Sequence, residues 1–216
     1  MRGMPPRAAD RPSLSRERII AHALELIDKH GIDKMSMRKL GAELGVDAMA
    51  IYYHLPDKAA VFDGVVEAVY EKGDIGSVPD TGSWREQLTG MMRRLRAVLR
   101  EHPNTVPIVG TRPVHTPRML AASDAALARL HRAGLPPTHS LLLFHNVRAY
   151  TIGHVLAEVG TPVGGPSRAG NDLPSALGSG YPDLTAAAKG GYHPDEHYES
   201  GLRALLDGYE RMLAES

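Results

Sequence analysis

The stretch Ser36–Lys58, SMRKLGAELGVDAMAIYYHLPDK, constrains the fold more than any other part of this 216-residue chain. It has room for two short helices and one tight turn. Ser36 is placed to cap the first helix, because its side-chain oxygen can accept from a backbone N–H left without a partner at a helix start. Met37, Leu40 and Leu44 then recur at helical spacing and share one face. Gly45 follows where a left-handed residue is needed, a conformation glycine takes without strain. Val46 turns inward. Asp47 is placed to cap a second helix through Ala48, Met49, Ala50, Ile51, Tyr52, Tyr53, His54 and Leu55. Ile51 and Leu55 point to the core, whereas Met49, Ala50, Tyr53 and His54 do not.

This layout matches a helix-turn-helix, whose second helix enters the DNA major groove. The outward face is small, aromatic and hydrogen-bonding, with almost no acid. Alanine and methionine can meet a thymine methyl, and tyrosine and histidine can donate to phosphate or base edges. On the bare motif, a helical hairpin that merely packs is the competing reading. The flanks favour the first. SRERIIAHALELIDKH, from Ser15 to His30, carries an apolar stripe of Ile19, Ile20, Ala23, Leu24 and Ile27 and closes on Gly31. Pro56-Asp57-Lys58 opens a fourth helix, with Asp57 as cap and Val61, Phe62, Val65, Val66, Val69 and Tyr70 on its buried side.

The runs ALELIDKHGIDKMSMRKLGAELGV and IYYHLPDK strongly resemble the tetracycline-repressor (TetR) family of one-component bacterial transcription regulators. The resemblance implies an all-α chain: an N-terminal three-helix DNA-binding domain, then a C-terminal helical domain for ligand binding and dimerisation. The expected division is an arm over 1–14, a helix-turn-helix domain over 15–58 and an effector and dimerisation domain over 59–216, with a linking helix over 58–72. Arg38 and Lys58 are expected to hold phosphates. Met49, Ala50, Tyr53 and His54 would face bases or the groove wall, and Tyr52 the backbone. Ala48 stands where some relatives carry a base-reading amide.

Formal net charge is zero, so the chain is no general polycation and needs a local basic footprint. The N-terminal tail offers one: Arg2, Arg7, Arg11, Arg16 and Arg18 face only Asp10 and Glu17. Such a tail reads either as an arm toward a neighbouring minor groove or as a solubilising tail. Hydrophobic content of 43% is ample for a core. The absence of cysteine removes disulfides, thiolate metal sites and cysteine nucleophiles, and fits a cytoplasmic protein. No apolar run approaches the roughly 18–20 residues of a membrane span, and Met1–Arg18, polar and broken by prolines, does not read as a signal peptide.

Gly73–Gly82 reads as a linker. Ser83-Trp84-Arg85-Glu86 is a capping box opening a helix to about His102, with Leu88, Met91, Met92, Leu95, Val98 and Leu99 inward. Arg93, Arg94, Arg96 and Arg100 read as its solvated side. Pro103–Pro117 reads as irregular, and a helix runs from Pro117 toward Gly134, with Thr116 as its cap. A long helix follows from about Thr138 to Gly160. Its face of Leu141, Leu142, Phe144, His145, Ala149, Ile152, Val155, Leu156 and Val159 is broad, as expected of a helix covered on more than one side, and close helix–helix approach would account for Gly153. The segment 161–192 is rich in Gly, Pro, Ser and Ala and is expected to be flexible, with one short helix over Asp183–Lys189. A last helix from Pro194 carries Tyr198, Leu202, Leu205, Leu206, Tyr209, Met212 and Leu213.

The second half resembles the tetracycline repressor's own branch through Ser83-Trp84, Gly110-Thr111-Arg112-Pro113, the Tyr150–Leu156 run and Gly201–Glu210. That resemblance implies a homodimer built from helices at about 138–160 and 195–214, which would present two recognition helices to a palindromic operator. It also implies an effector pocket walled by Met91, Leu95, Ile108, Arg112, Pro113, Leu141 and Phe144, with Arg112 its fixed charge. Tetracycline-binding members hold a drug–magnesium complex through residues that here are Ile108, Ala157 and Asp74. With those ligands replaced, a different and mainly apolar small molecule is expected, and no cofactor or metal.

Of 11 histidines, His193 and His197 are spaced to share a helix face, yet HPDEH is not a zinc-protease arrangement. No Ser-His-Asp order, phosphate-cradling Gly-rich loop or paired carboxylate motif supports catalysis. The competing readings are a ligand-binding helical protein or an enzyme using the C-terminal pocket without specific DNA binding, and a partner-binding helical protein.

Overall fold

A computed structural model of the chain describes residues 13–75, 82–112, 117–160, 162 and 180–214. Among the described residues all regular structure is helical. None of these helices is long and apolar enough to cross a membrane. The chain divides into two compact units at Ala68 and Val69.

The first unit holds α1 (Arg16–His30), a 3-10 turn (Ile32–Lys34), α2 (Met37–Leu44), α3 (Ala48–Tyr52) and most of α4 (Lys58–Lys72). The expected caps form. Ser15 accepts from Arg18 N–H, Ser36 from Lys39 N–H, and Asp57 from Ala60 N–H. Ile19, Ile20, Ala23, Leu24 and Ile27 are buried as the stripe predicted, and so is Leu26. Leu26 widens the apolar face of α1, while Met35, at 1% exposure, plugs the core from the extended residue between the 3-10 turn and α2. Gly64 lets α4 approach α1: a Cβ there would lie 2.7 Å from Cγ1 of Ile20. Arg16 Nη2 donates to Glu67 Oε2 at 2.6 Å across the same pair of helices.

One expectation in this unit fails. The second helix of the hairpin, α3, ends at Tyr52, not Leu55; Tyr53 is its C-cap and His54 lies in a turn. Proline disfavours helical backbone in the residue before it, so Pro56 ends the helix from outside. Leu55 stays 3% exposed because its N–H still reaches the Ile51 carbonyl at 3.0 Å.

In the second unit, α5 (Trp84–Glu101), α6 (Val106–Thr111), α7 (Pro117–Arg132) and α10 (Pro194–Ala214) all pack on the long helix α8 (Pro137–Val159), and α9 (Pro182–Ala188) is a short exposed helix. The Ser83–Glu86 capping box is complete, with Ser83 N–H donating to Glu86 Oε2 at 2.8 Å and Glu86 N–H to Ser83 Oγ at 3.2 Å. The stretch expected to be irregular contains a 3-10 turn (Pro103–Thr105) and α6; Pro103 and Pro107 fall at first-turn positions, where a missing N–H costs nothing. Thr116 and Pro113 lie outside the described residues, as do residues 163–179.

Within one chain, part of the broad face expected on α8 is buried and part is exposed. Ser140, Leu143, Val147, Thr151, Ile152 and Val155 are buried, whereas Leu141, Leu142 and Leu156 are 47%, 55% and 47% exposed. Leu141–Phe144 is an unbroken apolar run, so periodicity could not choose its inward side. Among the described residues nothing lies within 4 Å of a Cβ built at Gly153, so helix approach between described elements does not account for that glycine. A different glycine takes that role: a Cβ at Gly201 would sit 2.6 Å from Cζ of Tyr150.

The reading of Arg96 as solvated is also corrected. It is 7% exposed, lies 4.6 Å over the Tyr198 ring, and donates to Asp195 Oδ1 at 2.6 Å and Glu158 Oε2 at 2.9 Å. Burying the cation is offset by two carboxylates and an aromatic face.

Candidate DNA interface and C-terminal site residues

The hairpin of the first unit is held by backbone fit. Gly45 is left-handed, with φ 69°. Gly41 brings α2 against the start of α3: a Cβ there would meet the Val46 carbonyl oxygen at 2.9 Å and Ala48 N at 3.2 Å. Asp47 Oδ1 accepts from Met49 N–H at 2.8 Å and fixes the first turn of α3. With Ile51 fully buried as its anchor, α3 turns its other side chains outward. Met49 is 64% exposed and Tyr53 88%. Tyr52, His54, Arg38 and Lys58 are exposed as well, and Ala48 and Ala50 are half-buried. The Lys58 ammonium stands 5.1 Å over the Phe62 ring, which holds its stem near the start of α4. Glu17 is held below its ordinary pKa by backbone and Ser15 hydrogen bonds, and His54 adds to the effect.

This surface presents cations at two points around an apolar and aromatic ridge. Tyr53 and His54 reach it from the turn after α3, so the ridge is wider than the five-residue helix itself.

The C-terminal residues expected to wall a pocket are dispersed in burial. Met91, Leu95 and Ile108 are buried, Arg112 and Phe144 half-buried, and Leu141 exposed. Met91 borders a cavity of about 10 Å³ with Trp84, Leu88, Ala126 and Leu130. That is about one water-sized probe sphere, far below the several hundred Å³ of a typical organic-ligand pocket. Asp74, at one of the replaced magnesium positions, accepts from Arg94 Nη1 at 2.8 Å; Ala157, at another, is exposed.

Two polar clusters in this unit escaped the sequence reading. Arg148 on α8 donates from Nε to the Tyr70 hydroxyl at 2.8 Å and from Nη2 to the Val109 carbonyl of α6 at 2.9 Å. The available signal was its isolation: Arg148 and Glu158 are the only Asp, Glu, Lys or Arg residues in α8. The second cluster surrounds Arg96. Glu158 also accepts from Arg100 Nε at 3.1 Å, and its Oε2 lies 3.7 Å from His154 Nδ1. Thr151 Oγ1 donates to the Val147 carbonyl, so the Tyr198 hydroxyl is the donor in their 3.0 Å contact. Burial pushes the Tyr198 phenol up to about 12. Burial, with Arg96 nearby, lowers the His154 imidazole below its usual 6.5.

His193 packs its ring nitrogen on the Gly190 carbonyl at 3.1 Å, and His197 stands edge-on to Tyr192. Among the described residues no three His, Cys, Asp or Glu side chains are grouped to hold a metal.

A family model described as bacterial regulatory proteins, tetR family, matches residues 19–65. A second, described as tetracyclin repressor-like C-terminal domain, matches residues 78–213. An HTH-type transcriptional regulator from Saccharopolyspora erythraea is 36% identical over 149 residues, which are 68% of this chain and 62% of that protein. The match thus spans under two thirds of that relative. Tetracycline repressor protein class C from Escherichia coli is 31% identical over 203 residues, 92% of each chain. A solved Streptomyces coelicolor structure, described as a possible TetR family transcriptional regulator, superposes with a TM-score of 0.79 at 28% identity, covering 92% of this chain and 100% of its own. These relatives are regulators, not enzymes.

Proposed function

The chain belongs to the TetR family of bacterial regulatory proteins, and from that premise we propose that it is a ligand-released repressor that binds a palindromic operator as a homodimer. The outward face of α3 and the turn after it carries the reading. Met49, Ala50, Tyr53 and His54 meet bases or the groove wall, Ala48 makes an apolar contact, Tyr52 reaches the backbone, and Arg38 and Lys58 take phosphates. Phosphate contacts set register, and base-edge contacts set sequence.

The exposed side of α8 supports the dimer. Leu141, Leu142 and Leu156 offer apolar area, and Gly153 leaves open space beside them. On α10, Met212 is 47% exposed and Gly208 is likewise open. A second copy covering both helices would bury this surface and set two recognition helices a helical turn or a multiple apart. The effector is a small, mainly apolar molecule near Met91, Leu95, Ile108, Arg112, Pro113, Leu141 and Phe144. With Ile108, Asp74 and Ala157 at the replaced positions, it is not a tetracycline–magnesium complex. Release requires that the effector bind the low-affinity state more tightly than the operator-bound one.

The test is footprinting of the purified protein on DNA flanking its own gene across a salt series. Protection of an inverted repeat, lost in Tyr53→Ala with the dimer intact, is the expected result. Steeply salt-dependent binding with no footprint, or unaltered protection by Tyr53→Ala, would overturn it.

A further inference from the structure

Helices α5 and α10 are bridged by a ladder of ion pairs that runs antiparallel. Arg85, near the start of α5, pairs with Asp207 and Glu210. Arg93 grips Glu199 with two bonds of 2.7 Å. Arg96 and Arg100, near its end, meet Asp195. Both helices pack on α8, and the long arginine side chains cross the space between them.

One rung lacks an acid. Thr89, one turn from both Arg85 and Arg93, stands opposite Arg203, one turn from Glu199 and Asp207. At this rung the helices enclose a groove of about 160 Å³. Its walls are Arg85, Thr89, Arg93, Glu199 and Arg203, and its floor is the buried Leu202 and Leu206. The Arg203 guanidinium makes no hydrogen bond or ion pair with any described residue; its electrostatic neighbour is Glu199, whose carboxyl is held below its ordinary pKa chiefly by Arg93.

We propose that this groove is a binding site for a small oxyanion, a carboxylate or phosphate monoester. The anion would supply the missing rung. Arg203 is the unspent cation, and guanidinium groups bind planar oxyanions through two parallel N–H donors. Arg85 and Arg93 flank the position, already ordered by their carboxylates. The Thr89 hydroxyl is available as a further donor, and the buried Leu202 and Leu206 close the floor. Glu199 in the groove wall, and Asp207 and Glu210 on Arg85, are acids, which sets the affinity in the weak range. Helix geometry keeps the groove open in the proposed dimer. Successive residues turn by about 100°, so Leu205 and Met212 lie on the side of α10 opposite Arg203. This site is separate from the proposed effector wall.

The test is a side-chain and backbone NMR titration of the full-length protein with phenyl phosphate, benzoate and inorganic phosphate, at constant ionic strength held with chloride. The expected result is a saturable shift of the Arg203 side chain and the Thr89 amide in the millimolar range. All three anions should shift Arg203 and Thr89, because the groove reads the oxyanion. Arg203→Gln, which removes no hydrogen bond or ion pair to a described residue, should keep its melting temperature and weaken binding at least tenfold. Thr89→Glu places an acid on the empty rung and should abolish the response while raising the melting temperature. Unsaturating shifts, an unchanged response in Arg203→Gln, or shifts confined to Arg38 and Lys58 would overturn the proposal. Footprinting of Arg203→Gln keeps the two readings apart, because operator protection does not depend on this groove.

Discussion

Arg148 Nε donates to the Tyr70 hydroxyl across 2.8 Å, so one cation on the central helix of the C-terminal unit holds the last turn of α4. The same guanidinium holds the Val109 carbonyl in α6. Hydrogen bonds to charged groups contribute roughly 1.5–3 kcal/mol. Tyr70→Phe should therefore destabilise the C-terminal unit by about that amount in urea unfolding, and Arg148→Met by more, since Val109 also loses its donor. The double variant should lose less than the sum of the two. Full additivity would show that the pair does not interact.

His154 predicts an acid sensitivity. It faces Arg96 from α5, Glu158 and Tyr150 on its own helix, and Tyr198 and His197 from α10. Burial, first, and then Arg96 lower its pKa in the folded state, so the unfolded chain binds the proton more readily. The stability this contributes is complete above the usual 6.5 and is lost as pH falls through that value toward the lowered one. Thermal melting should drop between about pH 7.5 and 5.5 in the parent and less in His154→Gln. Equal slopes would remove His154 from the account.

Gly201 is a packing requirement. Tyr150 donates to the Tyr198 carbonyl at 3.0 Å, and its ring occupies the space a side chain at position 201 would need. Gly201→Ala should cost about 1–3 kcal/mol through overpacking, despite alanine's better helix propensity. Trimming the ring with Tyr150→Leu should recover part of that loss, measured as unfolding free energy in the double variant.

Asp47 is the only side-chain cap on a five-residue helix. Asp47→Ala should cost about 1 kcal/mol. Operator affinity should fall further than stability alone explains, because the first turn of α3 loses its fixed direction. Asp47→Ser should restore both. Operator binding unaffected by Asp47→Ala would mean that DNA itself orders α3.

The hairpin was legible because its instructions are local. Ser36, Gly45 and Asp47 each act within three residues, and the chain obeys all of them. The end of α3 was misjudged because the proline effect runs backward against an apolar periodicity that continues through Leu55. The central helix was recognised, but Leu143 and Val147 on its buried side were not, since four consecutive apolar residues offer no phase. The Arg96 cluster could not be read from sequence at all. Its partners lie 62 and 99 residues away, and a run of arginines looks the same whether solvated or buried until those carboxylates arrive. Of the effector-wall residues, the resemblance gave positions, while burial separates Ile108, packed into the core, from the exposed Leu141.

Because α3 stops at Tyr52, the outermost contact residues hang from a turn and support nothing beneath them. Tyr53 is 88% exposed, and the fold is carried by Ile51 and Leu55 on either side of it. On the proposed reading, exchanging Tyr53 or His54 should change what the surface recognises without taxing stability. A lineage can move such a regulator to a new promoter by single substitutions at these positions, each intermediate remaining a folded protein.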